Sequence, residues 1–293
     1  MRALPSSALL AALVLSSCSL AVDVDDYTFD VSPCGPRPPS CSGGREIAFA
    51  LSSLVLPSID GEGRRDGFDF DGTDATICGR GDFDAPDGRI GVDNGLVEVL
   101  ELYQELAGVD LRADAERAIV EGGPIQLLVL SGVDDPMNDD CIEVTRRAAL
   151  RPAGIEIEDL DTDGDGVLDE GLTFDYLTPT DRDPVACSID GVLHARFPTS
   201  FSVIYGTTVE ANVDRGRLRM PLDHPDAPTD AMVGGSVRIA DLVGGLPDAV
   251  VEFIDLRADL DPSSRAANDC GSISFGFGGR FVPATIGMLR ASP

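Results

Sequence analysis

DGFDFDGTDATICGRGDFDAPDGRIGVDN, residues 66–94, holds eight Asp, two Arg and six Gly, and we call it the acidic segment. Carboxylates this close together repel one another unless cations or solvent separate them. Glycines at such intervals let a loop turn its oxygens inward around a hard cation such as calcium. The composition therefore predicts an irregular loop with a capacity for calcium, placed directly before a helix.

Residues 161–169, DTDGDGVLD, give the same signal with a more specific spacing, and we call them the DxDxDG loop. Carboxylates at positions 1, 3 and 5 of such a loop converge on one cation, and Gly166 at position 6 permits the sharp turn. The alternative is a solvated acidic turn between two strands. The expected ligands are oxygens of Asp161, Asp163, Asp165, Val167 (through its backbone carbonyl) and Asp169.

The DxDxDG loop resembles the EF-hand loop and the shorter calcium repeats of thrombospondin type 3 and of bacterial surface proteins. It departs from the EF-hand at position 12, where Leu172 stands in place of the bidentate Glu. No helices are evident on either side of it. The thrombospondin-type repeat, in which Asp169 serves as a ligand, fits better and implies a structural calcium ion.

The acidic segment departs further from a calcium loop. Residues 87–90, DGRI, match positions 5 to 8 of an EF-type loop, but position 1 would be Phe83. The alternative is a set of turns and caps in which short Asp side chains accept hydrogen bonds from nearby backbone N–H groups. A distorted metal site would use Asp82, Asp84, Asp87 and Asp93, helped by Asp69 and Asp71.

The N-terminus predicts export. Arg2 is basic, and residues 8–15, ALLAALVL, form an apolar run too short to span a bilayer, which takes ~20 residues. Residues 15–18, Leu-Ser-Ser-Cys, resemble the bacterial lipobox, in which the Cys is acylated after cleavage. This resemblance implies an envelope protein anchored to the membrane through Cys18, and Ser19 favours the outer membrane. An ordinary secretory signal cut near Ala21 is the alternative.

Six cysteines remain after Cys18, and an even number in an exported protein predicts disulfides. Cys34 and Cys41 flank the short stretch GPRPPS, so a local bridge between them is the pair expected first. A weaker preference is for Cys78–Cys141 and Cys187–Cys270. No CxxC pair supports zinc or thioredoxin-like chemistry.

The formal charge of −29 excludes some classes of partner. All 22 basic residues are Arg, against 51 Asp and Glu. Such acidity argues against binding nucleic acid and against direct adsorption to anionic lipid headgroups. The absence of Lys also excludes a Lys nucleophile or Schiff base.

Hydrophobic periodicity predicts an α+β fold, a β-rich antiparallel sheet or sandwich with two helices near residues 95–121. One helix begins at an Asn94 N-cap, and the other covers 111–120; shorter helices are expected at 239–246 and 250–256. We expect a signal peptide over 1–17, a Pro-rich tether over 18–45 and one domain over 46–293. The predicted strands are 47–56, 125–133, 142–148, 172–176, 192–197, 201–205, 208–213, 217–220 and 273–281.

Four motifs together resemble a group of bacterial, chiefly proteobacterial, lipoproteins without an assigned activity. They are the lipobox at 15–18, DGFDFDG at 66–72, Cys78-Gly79 leading into DF…PDG…GVDN over 82–94, and CGSISFGFGG at 270–279. The resemblance covers most of the chain and implies a lipoprotein of the cell envelope. It implies no reaction.

Motifs for catalysis are scarce. The sequence has two histidines, His194 in an alternating strand and His224 in a loop, and it lacks GxSxG, HExxH, GxGxxG and Walker-type motifs. We therefore expect a calcium-stabilised surface lipoprotein that acts as a binding or structural module, not an enzyme, with a protein or glycan ligand left open. The alternatives are an anchored, glycan-directed hydrolase with structural calcium, and an acidic envelope protein adapted to salt without a specific ion.

Overall fold

Within the residues that the structure describes, ten strands and two helices have defined bounds. The computed structural model describes residues 33–36, 43–70, 83–108, 110–111, 113, 117, 119, 125–151, 155–156, 159–165, 167–177, 181–197, 201–205, 209–242, 252–254, 258–259 and 271–290. The elements are β1 (Arg45–Val55), α1 (Leu96–Ala107), β2 (Ile125–Val133), β3 (Asp139–Leu150), β4 (Thr173–Tyr176), β5 (Asp181–Ile189), β6 (Val192–Phe197), β7 (Phe201–Tyr205), β8 (Val209–Pro221), β9 (Thr229–Arg238), α2 (Ile239–Leu242) and β10 (Ser272–Leu289).

Eight of the strands form a closed antiparallel barrel. Around the ring they follow the order β1–β2–β3–β5–β6–β8–β9–β10, and β10 pairs again with β1. Each ring strand therefore has a partner on both sides. The other two strands are additions: β4 pairs with the ends of β10 and β3, and β7 pairs with the first half of β8.

Apolar side chains from all eight ring strands fill the barrel. Alternate residues of a strand point to opposite faces, so Phe49 of β1 and Leu128 of β2 point inward while Ala50 and Leu127 point outward. An eight-stranded ring is just wide enough to be filled by side chains. The interior includes Phe49, Leu130, Val144, Ala186, Leu193, Phe197, Leu218, Val237, Phe275, Phe277 and Phe281.

The outer surface of the barrel is covered in two places. Over β1, β2 and β10, a second apolar cluster joins outward residues of the strands to Phe174 of β4 and to Leu160 and Leu168. Over β9 and β10, the described parts of the acidic segment lie so close that a side chain at Gly276 would meet Gly67. Both acidic stretches of the sequence thus lie on the outside of the barrel.

The expected α+β class is wrong, because the fold is mostly β. Among the described residues, the only helices with defined bounds are α1, of 12 residues, and α2, of four. Within the predicted helix over 111–120, residues 111, 113, 117 and 119 are helical and the others lie outside the described residues. No helix in the described part of the chain has the length and apolarity to cross a bilayer.

The helix predicted after the acidic segment is confirmed as α1, but its N-cap is not Asn94. The cap position is Gly95, which makes no side-chain cap hydrogen bond, and Gly108 ends the helix in the left-handed conformation at φ 65°. The Asn94 amide instead donates to the carbonyl oxygens of Asp66 (2.6 Å) and Gly276 (3.1 Å). Asn94 therefore ties the acidic segment to β10.

The predicted strand bounds are partly right. The strands expected at 125–133, 192–197 and 201–205 are β2, β6 and β7 with those limits. Residues 208–213 and 217–220 belong to one strand, β8, which has a register shift between Asp214 and Arg217 and a positive φ of 55° at Arg215. Strands β5 and β9 were not predicted.

The predicted disulfide pairing is wrong for Cys34. Cys34 is bonded to Cys187 of β5, 153 residues away, which excludes both Cys34–Cys41 and Cys187–Cys270. Cys141 of β3 is also disulfide-bonded, and its partner lies outside the described residues. Residue separation is a poor guide here because β5 brings Cys187 to the chain's N-terminal stretch.

A first prediction concerns the contact between the acidic segment and β9. A Cβ at Gly234 would lie 2.5 Å from the Phe68 ring and 2.7 Å from the carbonyl oxygen of Phe275. We expect Gly234→Ala to lower the free energy of unfolding by ~1–3 kcal/mol, the usual cost of overpacking, measured by chemical denaturation of the oxidised protein.

Gly61→Ala is the matched control, because a Cβ there meets nothing within 4 Å. We expect its free energy of unfolding to stay within ~0.5 kcal/mol of the wild type. Equal effects of the two substitutions would show that the acidic segment does not lie against β9.

Candidate metal centre on the outer face of the barrel

Two buried leucines hold the DxDxDG loop on the barrel. Leu160 and Leu168, at 1% and 2% exposure, insert into the outer apolar cluster with Ile125, Leu127 and Val282. The Asp169 N–H donates to the Leu160 carbonyl oxygen at 2.9 Å, which brings the two ends of the loop together. The loop is therefore a closed projection on an apolar base, with its polar residues directed to solvent.

Three carboxylates of this loop converge. Asp161, Asp163 and Asp165 each offer a carboxylate oxygen, and the three oxygens lie within 4.8 Å of one another. Asp161 is half-buried and the other two are exposed. Oxygens at this separation can be bridged by one calcium ion at 2.3–2.6 Å from each, with its remaining ligands drawn from backbone or water.

Backbone N–H groups fix the direction of these carboxylates. Asp161 Oδ1 accepts hydrogen bonds from the N–H groups of Gly164 (2.8 Å) and Asp165 (3.1 Å), and Asp165 Oδ1 accepts one from Val167 (2.8 Å). Gly164 has a φ of 74°, in the left-handed region that favours glycine. Gly166, for which the sequence predicts the sharp turn, lies outside the described residues.

The fourth predicted carboxylate, Asp169, lies outside the converging group. Its Oδ2 accepts hydrogen bonds from the N–H (3.1 Å) and the hydroxyl (2.6 Å) of Thr162. Its role in the structure is thus to close the loop. The Val167 N–H donates to Asp165 Oδ1 within the loop.

Asp175 fixes the chain that follows the loop. Its side chain is 6% exposed; Oδ1 accepts a hydrogen bond from the Met288 N–H (2.9 Å), and Oδ2 pairs with Arg290 Nη2 (2.6 Å). The Met288 hydrogen bond and then Arg290 lower the pKa of Asp175 below its ordinary value. The carboxylate therefore joins β4 to the end of β10.

The predicted ligands of the acidic segment do not converge in its described part, which omits Asp71 and Asp82. Asp93 is buried and its Oδ2 accepts the Phe70 N–H at 2.7 Å, whereas the Asp84 side chain is exposed. Asp87 pairs with Arg89 through both carboxylate oxygens, at 3.0 and 2.8 Å. Against an opposing effect of partial burial, Arg89 and then Arg219 lower the pKa of Asp87.

Arginine side chains make many of the polar contacts in and around the acidic segment. Arg65, 4% exposed, lies 3.4 Å above the Phe83 ring and bonds to the Asn94 carbonyl and the Glu98 carboxylate of α1, both at 3.2 Å. Arg217 of β8 donates to the Asp69 carbonyl oxygen at 2.7 Å. Arg65 and Arg217 thus hold the acidic segment in place through its backbone carbonyl oxygens.

A second acidic group lies at the start of β3. Asp139, Asp140 and Cys141 have potential ligand atoms within 4.8 Å of one another. Cys141, however, is disulfide-bonded, and the oxygens of Asp139 accept N–H groups of Asp134 (2.8 Å) and Cys141 (2.8 Å). A disulfide sulfur is not a thiolate ligand, so this group is a weaker candidate than the DxDxDG loop.

Neither histidine lies in the DxDxDG loop. His194 is half-buried on β6 in register with Cys187 and Arg219, and burial followed by the charge of Arg219 lowers its pKa. His224 is 84% exposed and lies 3.7 Å from Asp223. Burial and the charge of Arg219 therefore favour the neutral form of His194.

The residues that position the loop are not evident from the sequence motifs. Leu160 and Leu168 each directly flank a carboxylate, and Asp175 lies within a predicted strand. An apolar residue at each end of an acidic loop is the signal that would have found the first two. No signal in the sequence links Asp175 to Arg290, because that contact depends on the parallel pairing of β4 and β10.

Comparison with known proteins identifies no relative of this chain. No family model matches the chain, and no curated protein or solved structure shows a significant match.

Asp175 gives a pH prediction. Because its pKa is lowered in the folded state, its stabilising effect is complete above the ordinary pKa of ~3.9 and is lost as the pH falls below that value. We expect the difference in free energy of unfolding between wild type and Asp175→Asn to be constant near neutral pH and to shrink below about pH 4. Denaturation at a series of pH values measures it.

The control is Asp230→Asn, which removes a 77% exposed carboxylate 3.4 Å from Arg280. Its free energy of unfolding should follow the wild-type pH curve closely. A constant offset for Asp175→Asn down to pH 2 would contradict the proposed role of the ionised carboxylate.

Proposed function

We propose that this chain is an exported, lipid-anchored protein of the cell envelope whose DxDxDG loop binds a structural calcium ion. In this role the barrel is a binding or structural module at the membrane surface, and its chemistry is not catalytic. The observation that carries the calcium proposal is the convergence of Asp161, Asp163 and Asp165 on a loop held by two buried leucines.

The electrostatics of the loop support a cation. Residues 152–180 contain nine Asp or Glu and no Arg, so the loop has no basic neighbour in sequence. Two unit charges ~4.8 Å apart repel by roughly 1 kcal/mol even at the dielectric constant of water. A divalent ion replaces this repulsion among three carboxylates by attraction.

The ligand set favours calcium over other ions. All candidate ligands are oxygens, which excludes a preference for soft metals. An exposed loop leaves room for the waters that complete the 6–8 ligands of calcium, whereas magnesium demands a stricter octahedron. The lipid anchor rests on the sequence around Cys18, and acyl chains at that residue would give stable membrane attachment.

The calcium proposal predicts a selective stabilisation. For the oxidised soluble chain, with residues 1–17 removed and Cys18→Ser, calcium at about 100 times its Kd should raise the free energy of unfolding by about 2.7 kcal/mol over chelator. Magnesium at equal ionic strength should raise it less. Thermal unfolding in chelator, calcium and magnesium measures the three values.

The double variant Asp163→Ala/Asp165→Ala should lose the calcium-dependent rise. Glu101→Ala/Glu105→Ala removes the same charge from exposed positions of α1 and should keep it. Three coincident melting curves for the parent chain would reject the calcium site and leave an acidic protein without a specific ion.

The proposed lipid anchor at Cys18 gives a prediction that is independent of the calcium site. Cys18→Ser should abolish acylation, shown by the mass of the N-terminal peptide, and move the protein from the membrane to the soluble fraction. Ser16→Ala, which keeps the Cys, should remain acylated and membrane-bound. Membrane retention of Cys18→Ser at the wild-type level would contradict the lipid anchor.

A further inference from the structure

We propose that the disulfide partner of Cys141 is Cys41, in place of the expected Cys78. Cys141 is disulfide-bonded, and four cysteines lie outside the described residues: Cys18, Cys41, Cys78 and Cys270. The inference rests on the proposed function in one respect, since acylation removes Cys18 from the possible partners. The described residues next to the other three decide between them.

Cys141 lies opposite Cys187 on the outer side of the barrel wall. The register of β3 with β5 shifts between Asp139 and Ile142, so that two β3 residues, of which Cys141 is one, face Cys187 alone. Ile142 and Ala186 point into the interior. The cysteine next to each of them in sequence therefore points outward.

The chain that follows Cys41 lies against the residues next to Cys141. A Cβ at Gly43 would lie 3.6 Å from Asp134 Oδ1. The Asp139 carboxylate accepts the N–H groups of both Asp134 and Cys141, each at 2.8 Å. Gly43 is two residues from Cys41, a span of ~7 Å at most. Because the Cα atoms of a disulfide are ~4.4–6.8 Å apart, Cys41 is within bonding reach of Cys141.

The chain that precedes Cys41 is held at the same place. Cys34 is bonded to Cys187, with 5.5 Å between their Cα atoms, and Cys187 faces Cys141 across the β3–β5 pair. The stretch from Cys34 to Gly43, which contains Cys41, thus begins and ends next to Cys141.

Cys270 is too far from Cys141 to be its partner. It lies two residues before Ser272, where β10 begins. Register partners followed from Cys187 through β6, β8 and β9 lead to Gly278 of β10. Gly278 is six residues from Ser272, which is ~20 Å along the strand, and the width of the barrel adds to this distance.

Cys78 is separated from Cys141 by the barrel itself. It belongs to the acidic segment, whose Phe68 lies against Gly234 of β9. Around the ring, β9 is four strands from β3 in both directions, which places the two strands opposite each other. Cys78 is five residues from Phe83, a reach of ~18 Å at most. Four strand spacings already come to ~19 Å at the backbone, and the path along the outer side is longer.

Cys78 and Cys270 then form the third bridge. The acidic segment and the first half of β10 are in contact, since a Cβ at Gly276 would lie 2.9 Å from the Gly67 Cα. Each bridge forms when two thiols give up two protons and two electrons to a disulfide oxidant, which is reduced to two thiols.

The pairing joins β3 to β5 covalently through the N-terminal stretch. The backbone pairing of these two strands has two register shifts, between Asp139 and Ile142 and between Ile142 and Val144. Bridges from Cys34 to β5 and from Cys41 to β3 therefore cross-link the wall of the barrel where its hydrogen bonding is least regular.

Tryptic digestion of the exported, alkylated protein without reduction, followed by mass spectrometry, tests the pairing. Trypsin cleaves after Arg, but Pro38 blocks cleavage after Arg37, so Cys34 and Cys41 stay in one peptide. The cysteine-bearing peptides are 18–45, 66–80, 118–146, 183–196 and 266–280. We expect one linked species of 18–45, 118–146 and 183–196, and another of 66–80 and 266–280.

Linkage of peptide 118–146 to 66–80 or to 266–280 would overturn the inference. Cys41→Ser/Cys141→Ser should leave 118–146 unlinked while 18–45 stays bonded to 183–196. The matched control, Cys78→Ser/Cys270→Ser, should keep the species of three peptides intact.

A further variant separates this inference from the proposed anchor. Cys18→Ser should remove the acyl mass from peptide 18–45 and leave that peptide in the species of three. Loss of 118–146 from this species would identify Cys18 as the partner and reject the anchor and the pairing together. A parent protein that lacks acyl mass but keeps the species in the Cys18→Ser variant would reject the anchor alone.

Discussion

The antiparallel pairing of β1 with β10 is the contact on which the rest of the structure depends, because it closes the ring. Seven pairs of β1 and β10 residues lie in register between Ala48–Ala284 and Val55–Gly278. Without this pairing, two long strands would present free N–H and C=O groups, and Phe49 and Phe281 would lose their enclosure. Closure therefore satisfies the backbone and defines the interior at the same time, and it requires residues from both ends of the domain.

Closure also determines where the acidic stretches can go. A barrel filled with Phe and Leu has no interior space for carboxylates, so both stretches lie outside it. Each is held there by apolar residues beneath its polar surface, Leu160 and Leu168 in one case and Phe70 and Val92 in the other. Apolar burial of this kind contributes ~1.5–3 kcal/mol per large side chain, more than the repulsion between two exposed carboxylates. The fold can thus keep its acidic loops in place while their charge faces solvent.

The positions of several strands could be predicted from the sequence, whereas the order of the strands in the barrel could not. Local sequence patterns explain which strands were predicted. β2 and β6 follow from β-branched content and alternation. β5 was missed because Asp183-Pro184 indicates a turn, yet the Asp183 carboxylate accepts the N–H groups of Val185 (3.0 Å) and Arg196 (2.5 Å) and so continues the pairing of β5 with β6. β9 was missed because Gly234-Gly235 also indicates a turn. Those glycines are needed because Phe68 occupies the space outside the barrel wall and Val213 the space inside. The contacts of Phe68 and Val213 with these glycines cannot be derived from residues near them in the sequence. The prediction of an α+β class is wrong for the same reason.

The two acidic stretches differ in how their charge is compensated, and this difference makes one of them the better candidate for the proposed calcium site. In the acidic segment, Arg89 occupies both oxygens of Asp87, and a backbone N–H occupies Asp93. In the DxDxDG loop, backbone N–H groups orient the carboxylates, but no arginine lies within the loop or close to it in sequence. The spacing of the Asp residues alone makes both stretches candidate metal sites. Asp87 would have to give up its pair with Arg89 to bind a cation, which makes the acidic segment the weaker candidate. Calcium affinity should therefore reside in the DxDxDG loop, although the acidic segment contains more Asp residues.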